Sequence, residues 1–306
     1  MISCRCVVIG YGSIGQRHAR ILRELGHYVA VVSKRNINHP NLYHNIEEAL
    51  KKENPDYIVI ANETDKHEDT LVELERNGYN NKILVEKPLF SYASERNFNF
   101  SKLFVGYNLR QHPLIKKICE KIKDKEVIAV QAYVGQYLPN WRPEMDYTKS
   151  YSAKSDFGGG VIRDLSHELD YLQFLFGEWD SLVALGGKFS HLSIDSDDNY
   201  AIMYKTKRVP IISLQMNYLD QITQRFVIIN TSEDTYKADF ITNTLQINDK
   251  VYNFNMGRDT TYILQHVSIL NNKSEFLCTY ESGMKITKMI EAAEKSSMEK
   301  VWIINE

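Results

Sequence analysis

Cysteine is scarce in this chain, and no two cysteines have the spacing of a metal site. The 306 residues include 4 cysteines, Cys4, Cys6, Cys119 and Cys278, and none of them forms a Cys-x-x-Cys pair. They are also too few to stabilise a chain of this length as a disulfide framework. We therefore expect reduced thiols in a cytoplasmic protein and no metal centre.

The chain also lacks a charge imbalance and a long hydrophobic run. Its 37 lysines and arginines nearly balance 39 aspartates and glutamates, so no net field would attract nucleic acid or an anionic membrane. The apolar run Val7–Ile9 is too short for a signal peptide, and no stretch reaches the length of a membrane span. These absences leave a small molecule as the expected partner.

The first part of the chain has a regular alternation of strand and helix patterns. The predicted elements are strand 4–9, helix 14–25, strand 28–32, helix 46–52, strand 57–61, helix 67–77 and strand 82–85. Because β-branched runs alternate with segments of helical periodicity, the sequence predicts an α/β fold with a parallel sheet covered by helices.

Beyond about residue 116, strand patterns follow one another with few helices between them. The predicted strands are 127–134, 181–187, 200–204, 209–218 and 225–229, with helices at about 162–176 and 281–296. This pattern is typical of a mainly antiparallel sheet. We therefore predict two domains, residues 1–116 for the nucleotide and 117–306 for the substrate and for oligomerisation.

A glycine motif lies between the first predicted strand and the first predicted helix. Glycines in this position allow a tight turn and a close approach of the backbone to a pyrophosphate at the helix N-terminus. The alternative is a glycine turn that only packs a helix on a sheet. The residues assigned to the dinucleotide site are Gly10, Tyr11, Gly12, Ser13, Ile14 and Gly15.

The end of the second strand bears on the choice of nucleotide. NAD sites usually have an Asp or Glu here for the ribose hydroxyls, whereas this chain has Ser33, Lys34 and Arg35. A hydroxyl and two cations suit a 2′-phosphate, because charge-assisted hydrogen bonds to it are strong. The sequence favours NADP over NAD, and the alternative is a solvated basic turn.

Two further motifs carry groups suited to proton transfer. Lys87 follows the predicted strand 82–85 at the sheet edge where ligands bind, although a lone lysine is more often a surface cation. Later, Asp164, His167 and Asp170 recur at every third residue of a predicted helix that begins after Gly158–Gly160. A carboxylate can orient His167 for proton transfer, and the alternative is a capped amphipathic helix with a polar stripe.

Together these motifs resemble the Gfo/Idh/MocA oxidoreductases. The matching segments are Gly10-Tyr-Gly12-Ser-Ile-Gly15-Gln-Arg-His18, Asn62-Glu-Thr64 ahead of His67, Glu86-Lys87-Pro88, Gly158–Gly160 with Asp164 and His167, and Ile290-Glu-Ala-Ala293. The resemblance covers nearly the whole chain. It implies a doubly wound Rossmann domain followed by an open, mainly antiparallel mixed-sheet domain.

The resemblance also implies roles for individual residues. Lys87 matches the family's substrate-contacting lysine, and Asp164 and His167 match its carboxylate and histidine. Asn108 and Arg110 lie in a segment that looks like the one lining the family's cleft, where they would contact cofactor or substrate. The further positions expected at the cofactor are Asn62, Glu63, Thr64, His67, Glu86 and Lys87.

One departure from the family's pattern concerns His167. Members commonly have three residues between this Asp and His, whereas only Leu165 and Ser166 separate the two here. On one continuous helix, a shift of one residue rotates a side chain by about 100°. We therefore rank Lys87 ahead of His167 as acid or base. The form Ser166-His-Glu-Leu-Asp-Tyr171 resembles a variant of the family associated with bacterial surface-sugar pathways.

An aromatic and basic stretch precedes the triple glycine. Such side chains stack on sugar faces and bind hydroxyls or phosphate, and the alternative is an ordinary interface loop. The residues assigned to substrate there are Gln136, Trp141, Arg142, Tyr147 and Lys149.

The residues and the resemblance predict an NADP- or NAD-dependent dehydrogenase or reductase. Its substrate would be a secondary alcohol or ketone of a sugar derivative, with phosphorylated or nucleotide-linked sugars included. The alternatives are another enzyme on the same scaffold, such as an imine or enone reductase or a redox-assisted hydrolase, and a non-catalytic dinucleotide-binding sensor. Because an open sheet face is costly to leave in water, we expect a homodimer or homotetramer.

Overall fold

The computed structural model describes residues 3–305 and divides into two compact units. The first unit runs to Gln111 and also contains Arg258–Thr287. The second contains His112–Gly257 and the chain from Lys288 onward. The predicted boundary at residue 116 falls inside a helix, and the return of 258–287 to the first unit was not predicted. The predicted limits at residues 1 and 306 lie outside the described residues.

The first unit contains a sheet with the strand order β15-β6-β5-β4-β1-β2-β3. Its strands are β1 (Arg5–Ile9), β2 (Tyr28–Val32), β3 (Leu42–Tyr43), β4 (Tyr57–Ile60), β5 (Lys82–Val85), β6 (Lys102–Val105) and β15 (Cys278–Thr279). The first six are parallel, and β15 pairs antiparallel with β6. The chain order reverses between β1 and β4, which is where doubly wound sheets bind dinucleotides.

Helices pack on this sheet through residues at helical spacing. The helices of the unit are α1 (Ser13–Glu24), α2 (Ile46–Glu53), α3 (His67–Arg76), α7 (Thr260–Leu270) and the start of α8 (Tyr280–Glu299). In α1 the buried apolar residues Ala19 and Leu22 join a core with Val8 and Val59 of the strands. Ile269 of α7 completes that core, so the returning segment is part of the unit's interior.

The second unit is built on a sheet with the order β14-β13-β12-β11-β7-β10-β9-β8-β16. Its strands are β7 (Val127–Gly135), β8 (Trp179–Gly187), β9 (Asn199–Thr206), β10 (Ile211–Asn217), β11 (Gln224–Thr231), β12 (Thr235–Asp239), β13 (Thr244–Ile247), β14 (Lys250–Asn253) and β16 (Ile303–Ile304). Neighbouring strands are antiparallel except for β7 and β10. The predicted fold class, an α/β parallel sheet followed by a mainly antiparallel mixed sheet, is confirmed.

The two faces of the second sheet differ in burial. Residues alternate between buried and exposed along β9, as expected for a sheet covered on one side. On the open face, large apolar side chains remain exposed, including Leu185 (67%), Met203 (45%) and Ile211 (44%).

The predicted helix 162–176 is two helices, and this part of the prediction is wrong. The second unit contains α4 (Pro113–Ile122), α5 (Val161–Asp164), α6 (His167–Phe176) and the remainder of α8. Leu165 leaves the helical region (φ −97°, ψ 19°), and Ser166 Oγ donates to the Arg163 carbonyl at 2.8 Å. Such a local side-chain bond competes with the helical ladder. Among residues 3–305, no helix is long and apolar enough to cross a membrane.

Candidate active site

The glycine loop joins β1 to α1 with no space for side chains at two of its glycines. Gly10 has φ +90°, and a Cβ there would lie 2.5 Å from the Asn62 backbone nitrogen. A Cβ on Gly15 would collide with the Gly10 carbonyl oxygen. Both positions therefore require glycine, because the turn is tight and α1 packs directly onto it.

The third glycine faces open space. Gly12 precedes the first turn of α1, its side-chain direction has no atom within 4 Å, and no side chain caps the helix. The unpaired amides of this first turn, which begins with Ser13 and Ile14, suit a pyrophosphate. The loop thus fits a dinucleotide, with each glycine explained by its surroundings.

A basic depression of about 370 Å³ lies beside this loop. It is lined by Tyr11, Ser13, Gln16, Arg17, Arg20 and Arg23. Arg17 and Arg20 both pair with Asp259. These α1 arginines add positive charge next to the loop and were not singled out from the sequence.

The end of β2 contacts the same loop. Gly10 N donates to the Val32 carbonyl at 2.9 Å, and the Arg35 guanidinium donates to the Tyr11 carbonyl at 2.7 Å. Ser33 is buried, and its hydroxyl accepts from the Arg35 amide at 3.2 Å. Lys34 is exposed. Two of the three predicted 2′-phosphate contacts are thus already ordered around the glycine loop.

The loop after β4 is the neighbour of Gly10. Asn62 Nδ2 donates to Thr70 at 2.9 Å, while its Oδ1 is buried and has no hydrogen-bond partner among the described residues. Glu63 and Thr64 follow in a short turn that leads into α3. The His67 ring is buried, with its nitrogens 2.9 Å from the Leu89 carbonyl and 3.2 Å from the Asn62 carbonyl. His67 therefore holds the Asn62 loop in place.

The Glu86–Lys87 turn continues from β5. Glu86 N donates to the Ile60 carbonyl at 2.8 Å, which aligns the turn with the end of β4. The Glu86 carboxylate lies 2.8 Å from Nε2 of the buried His18. Lys87 is half-buried, and its amide donates to Glu86 at 3.2 Å. The ends of β1, β2, β4 and β5 thus bring the predicted first-unit residues to one sheet edge.

Asn108 and Arg110 are buried after β6 and point to the returning segment. Asn108 Nδ2 donates to the Thr261 hydroxyl at 3.0 Å, and Arg110 Nη1 donates to the Leu277 carbonyl at 3.2 Å. The structure therefore shows both side chains tying the returning segment to the unit.

In the second unit, the Asp164 carboxylate is held by two tyrosines. Tyr218 donates to Oδ2 at 2.6 Å, and the Tyr151 hydroxyl donates to Oδ1. Burial and the Asp164 charge raise the pKa of Tyr218 well above its usual 10, so it remains a donor. The Trp141 ring packs edge-on against Tyr218 at 5.2 Å, and its buried Nε1 has no hydrogen-bond partner among the described residues.

The triple glycine fits around the start of α5. A Cβ on Gly159 would collide with the Tyr151 carbonyl, and one on Gly160, which has φ +121°, would collide with the Asp197 carboxylate. Asp197 accepts from the Ile162 amide at 3.0 Å, at the N-terminus of α5. Burial raises the pKa of Asp197 from 3.8 to about 6.

His167 begins α6, whereas Asp164 ends α5. The interpretation that they share one helix face required a continuous helix, so the rotation inferred from their spacing does not describe this structure. The residue that follows His167 anchors the first turn of α6. Glu168 is completely buried and forms a two-pronged ion pair with Arg225 of β11, at 2.7 and 2.8 Å.

The aromatic and basic stretch is a mostly exposed loop. Arg142 and Lys149 are exposed, with Lys149 3.6 Å from Asp146. The Tyr147 hydroxyl accepts from the Ser193 amide at 3.2 Å. Gln136 is half-buried, and its backbone N–H donates to the backbone carbonyl of Asn217 at 3.2 Å.

Two family models match this sequence and decide its classification. Residues 4–98 match an oxidoreductase family with an NAD-binding Rossmann fold, and residues 115–234 match the Gfo/Idh/MocA C-terminal domain. The chain belongs to the Gfo/Idh/MocA family. It is therefore an NAD(P)-dependent oxidoreductase, as the motifs predicted.

Solved structures with the Gfo/Idh/MocA fold resemble the whole chain at low identity. A levoglucosan dehydrogenase in complex with NADH has a TM-score of 0.84 at 15% identity, covering 99% of both chains. GenD2 from gentamicin A biosynthesis, in complex with NAD, has a TM-score of 0.81 at 17% identity, covering 100% of this chain and 97% of that one. An NAD-binding oxidoreductase from Klebsiella pneumoniae has a TM-score of 0.80 at 16% identity, covering 99% of both. No curated protein sequence matches.

Several site residues of this Gfo/Idh/MocA chain were missed in the sequence. His18 was part of a matching motif, but its contact with Glu86 was not predicted. Tyr218 is one residue beyond β10 and carries no motif. Its role as a partner of Asp164 becomes visible only when strands distant in sequence are placed together.

Asp197 makes stability depend on pH. Because the pKa of this carboxyl is higher in the folded chain than the usual 3.8, its contribution is fully present below about pH 4 and is lost as pH rises through about 6. We expect Asp197→Asn to stabilise the protein at pH 7.5 by about 1–2 kcal/mol and to have little effect at pH 4. Urea unfolding at both pH values measures this difference.

Asp195→Asn is the matched control, since the pKa of Asp195 is lowered by the Ser155 amide. Its contribution is present above the usual pKa and is lost as pH falls. Asp195→Asn should therefore destabilise the protein at pH 7.5. If Asp197→Asn raised the free energy of unfolding equally at both pH values, the interpretation that burial raises the pKa of this carboxyl would be contradicted.

Proposed function

We propose that this protein transfers a hydride between NADP(H) and a secondary alcohol or ketone of a sugar derivative. The observation that carries the proposal is the sheet edge of the first unit. The glycine loop follows β1 and Lys87 follows β5, with β4 as the one strand between them. With a spacing of about 5 Å per strand, the two lie about 10 Å apart, a distance that a dinucleotide spans.

We assign the proton transfer to Lys87 and His167. Lys87 donates a proton to the substrate oxygen during reduction, or accepts it during oxidation, and His167 shares this transfer. Asp164 polarises or orients the two, since its tyrosine partners hold it as a fixed acceptor. The nicotinamide, when bound, supplies or accepts the hydride.

The cofactor is assigned to the loops at this edge. Gly10–Gly15 would hold the pyrophosphate, and Asn62 Oδ1, which no group within residues 3–305 hydrogen-bonds, is proposed as an acceptor for the cofactor. Ser33, Lys34 and Arg35 would hold a 2′-phosphate, with Arg35 already ordered beside Tyr11. The basic charge there supports NADP, with NAD as the alternative.

The sugar assignment is supported by the second unit and by the relatives. Trp141 offers a buried N–H donor with no partner among the described residues, and its ring packs against Tyr218, one of the two tyrosines that hold Asp164. Arg142 and Lys149 suit a phosphorylated or nucleotide-linked sugar. Levoglucosan dehydrogenase, which has also been solved with levoglucosan and with L-sorbose, supports the same substrate class.

The open face of the second sheet is proposed as a homo-oligomer interface. Leu185, Met203 and Ile211 are large apolar side chains of β8, β9 and β10 that remain exposed on this face. Exposed apolar side chains grouped on one sheet face are often buried by a partner, and a second copy of the chain would bury them in a C2 dimer.

The activity is tested with Lys87→Ala. We expect kcat for the active member of a sugar and sugar-phosphate panel to fall about 10²- to 10⁴-fold, because the positioned proton donor is lost. NADPH oxidation followed by absorbance measures the rate. The exposed Lys51→Ala is the control and should retain the parent rate. Cofactor binding without turnover on any panel member would instead support a dinucleotide sensor.

The nucleotide preference is tested with two single variants. We expect the parent to bind NADPH more tightly than NADH, and Lys34→Ala to weaken only NADPH, about tenfold, because a charge-assisted bond is worth about 1.5–3 kcal/mol. Arg35→Ala should weaken NADPH more. If Arg35→Ala weakened both cofactors equally, Arg35 would only support the glycine loop. Equal parent affinities measured by fluorescence titration would refute the NADP assignment.

The oligomer is tested by placing charge on the open face. We expect the parent to be a dimer or tetramer by light scattering, and Met203→Lys to shift it toward monomer, since a buried unpaired charge opposes association. Lys237→Glu, on the same sheet but polar already, is the control. A parent that is monomeric at all concentrations would overturn the proposal.

A further inference from the structure

Four buried side chains of the first unit form a single hydrogen-bonded chain. The Tyr57 hydroxyl lies 3.0 Å from His266 Nδ1, His266 Nε2 lies 2.9 Å from His18 Nδ1, and His18 Nε2 lies 2.8 Å from Glu86 Oε1. Tyr57, His18 and His266 are 0% exposed, and Glu86 is 8% exposed. We call these four residues, Tyr57, His266, His18 and Glu86, the buried hydrogen-bond network.

The chemistry of the four groups permits one arrangement of protons when both imidazoles are neutral. The Glu86 carboxylate can only accept, so His18 carries its proton on Nε2 and its Nδ1 accepts. His266 must then donate from Nε2, which leaves its Nδ1 to accept from Tyr57. Burial lowers the pKa of His266 well below 6.5 and raises that of Tyr57 well above 10, and both directions keep these groups neutral.

The Glu86 end of the buried hydrogen-bond network reaches the Lys87 turn. Glu86 Oε1 accepts from His18 while Oε2 accepts from the Lys87 amide at 3.2 Å, so the carboxylate fixes the peptide from which Lys87 projects. Gly106 leaves the space for this carboxylate, because a Cβ there would lie 2.8 Å from Glu86 Oε1. Both carboxylate oxygens are thus occupied by donors.

The donor to Glu86 comes from the helix of the dinucleotide loop. His18 lies on α1, three residues after Gly15, which packs against the Gly10 carbonyl. His266 comes from α7 of the returning segment. The loop that is proposed to hold the pyrophosphate and the turn that carries Lys87 are therefore joined through His18.

We propose that His18 is a positioning residue for Lys87 and that His266 fixes the tautomer in which His18 can perform this role. The proposal rests on the proposed function, since it assumes that Lys87 acts in proton transfer. The buried hydrogen-bond network does not carry protons to solvent, because Tyr57, at the end opposite Glu86, is completely buried. Its role is geometric: it holds Lys87 in register with the cofactor loop.

The proton arrangement is tested by NMR of protein labelled with ¹⁵N-histidine, in the cofactor-bound and free enzyme. We expect the Nε2 tautomer at both His18 and His266, with signals assigned by their loss in His18→Gln and His266→Gln. The Nδ1 tautomer of His18, which has no proton on Nε2, would leave Glu86 without this donor and overturn the proposal.

The positioning role is tested by comparing His266→Leu with His266→Gln in steady-state kinetics. The Gln side chain keeps an N–H donor near the position of Nε2, whereas Leu removes it. We expect His266→Leu to lower kcat about 10- to 100-fold, with KM and the NADPH Kd within twofold of the parent, since a small misplacement of a reacting group has effects of this size. His266→Gln should recover most of the rate. Equal losses in both variants would show a merely structural role and overturn the proposal.

A double variant separates this inference from the proposed function. In a Lys87→Ala background, His266→Leu should lower kcat no further, because it acts through Lys87. If Lys87→Ala alone leaves kcat unchanged, the proton-transfer role that the proposed function gives to Lys87 fails. If Lys87→Ala lowers kcat but His266→Leu does not, the role of Lys87 stands and the positioning role of His18 and His266 is overturned.

Discussion

The first unit depends on the close packing of Gly15 against the Gly10 carbonyl. Because no Cβ fits between the two, α1 starts directly on the turn after β1, and its first amides face outward beyond Gly12. The same contact sets the height of α1 over the sheet, and thus the point at which His18 meets Glu86. Steric exclusion at one residue therefore determines where two different loops can act.

The second unit contains two buried carboxylates, Asp164 and Glu168, that are held by hydrogen bonds. Asp164 accepts from the hydroxyls of Tyr151 and Tyr218, whereas Glu168 is paired with the guanidinium of Arg225. Hydrogen bonds from a charged donor to a carboxylate are stronger than those from a neutral hydroxyl. Two carboxylates four residues apart are thus held by different kinds of donor.

Local patterns were enough to predict much of the fold. The limits of β2 and β5 agree with the predicted strands, since β-branched runs there are flanked by residues that end strands. The glycine loop could also be predicted, because its requirement for glycine is local. The division after Asp164 could not, since neither the backbone angles of Leu165 nor the bond from Ser166 Oγ to the Arg163 carbonyl leaves a mark on helical periodicity. Neither could the contact between His18 and His266, which are 248 residues apart, or the tyrosines that converge on Asp164.

The return of Arg258–Thr287 to the first unit affects the order in which the chain can fold during synthesis. Ile269 and Leu277 belong to the same core as Val8 and Val59, so the nascent nucleotide-binding half leaves the ribosome with its interior open. The whole second sheet, apart from its terminal strand, is made before that core can close. Domains generally fold as units in the order of their synthesis. In this chain the unit that begins first can close its core only after β7 to β14 of the second unit have been made, and its apolar core residues stay uncovered until α7 and β15 emerge.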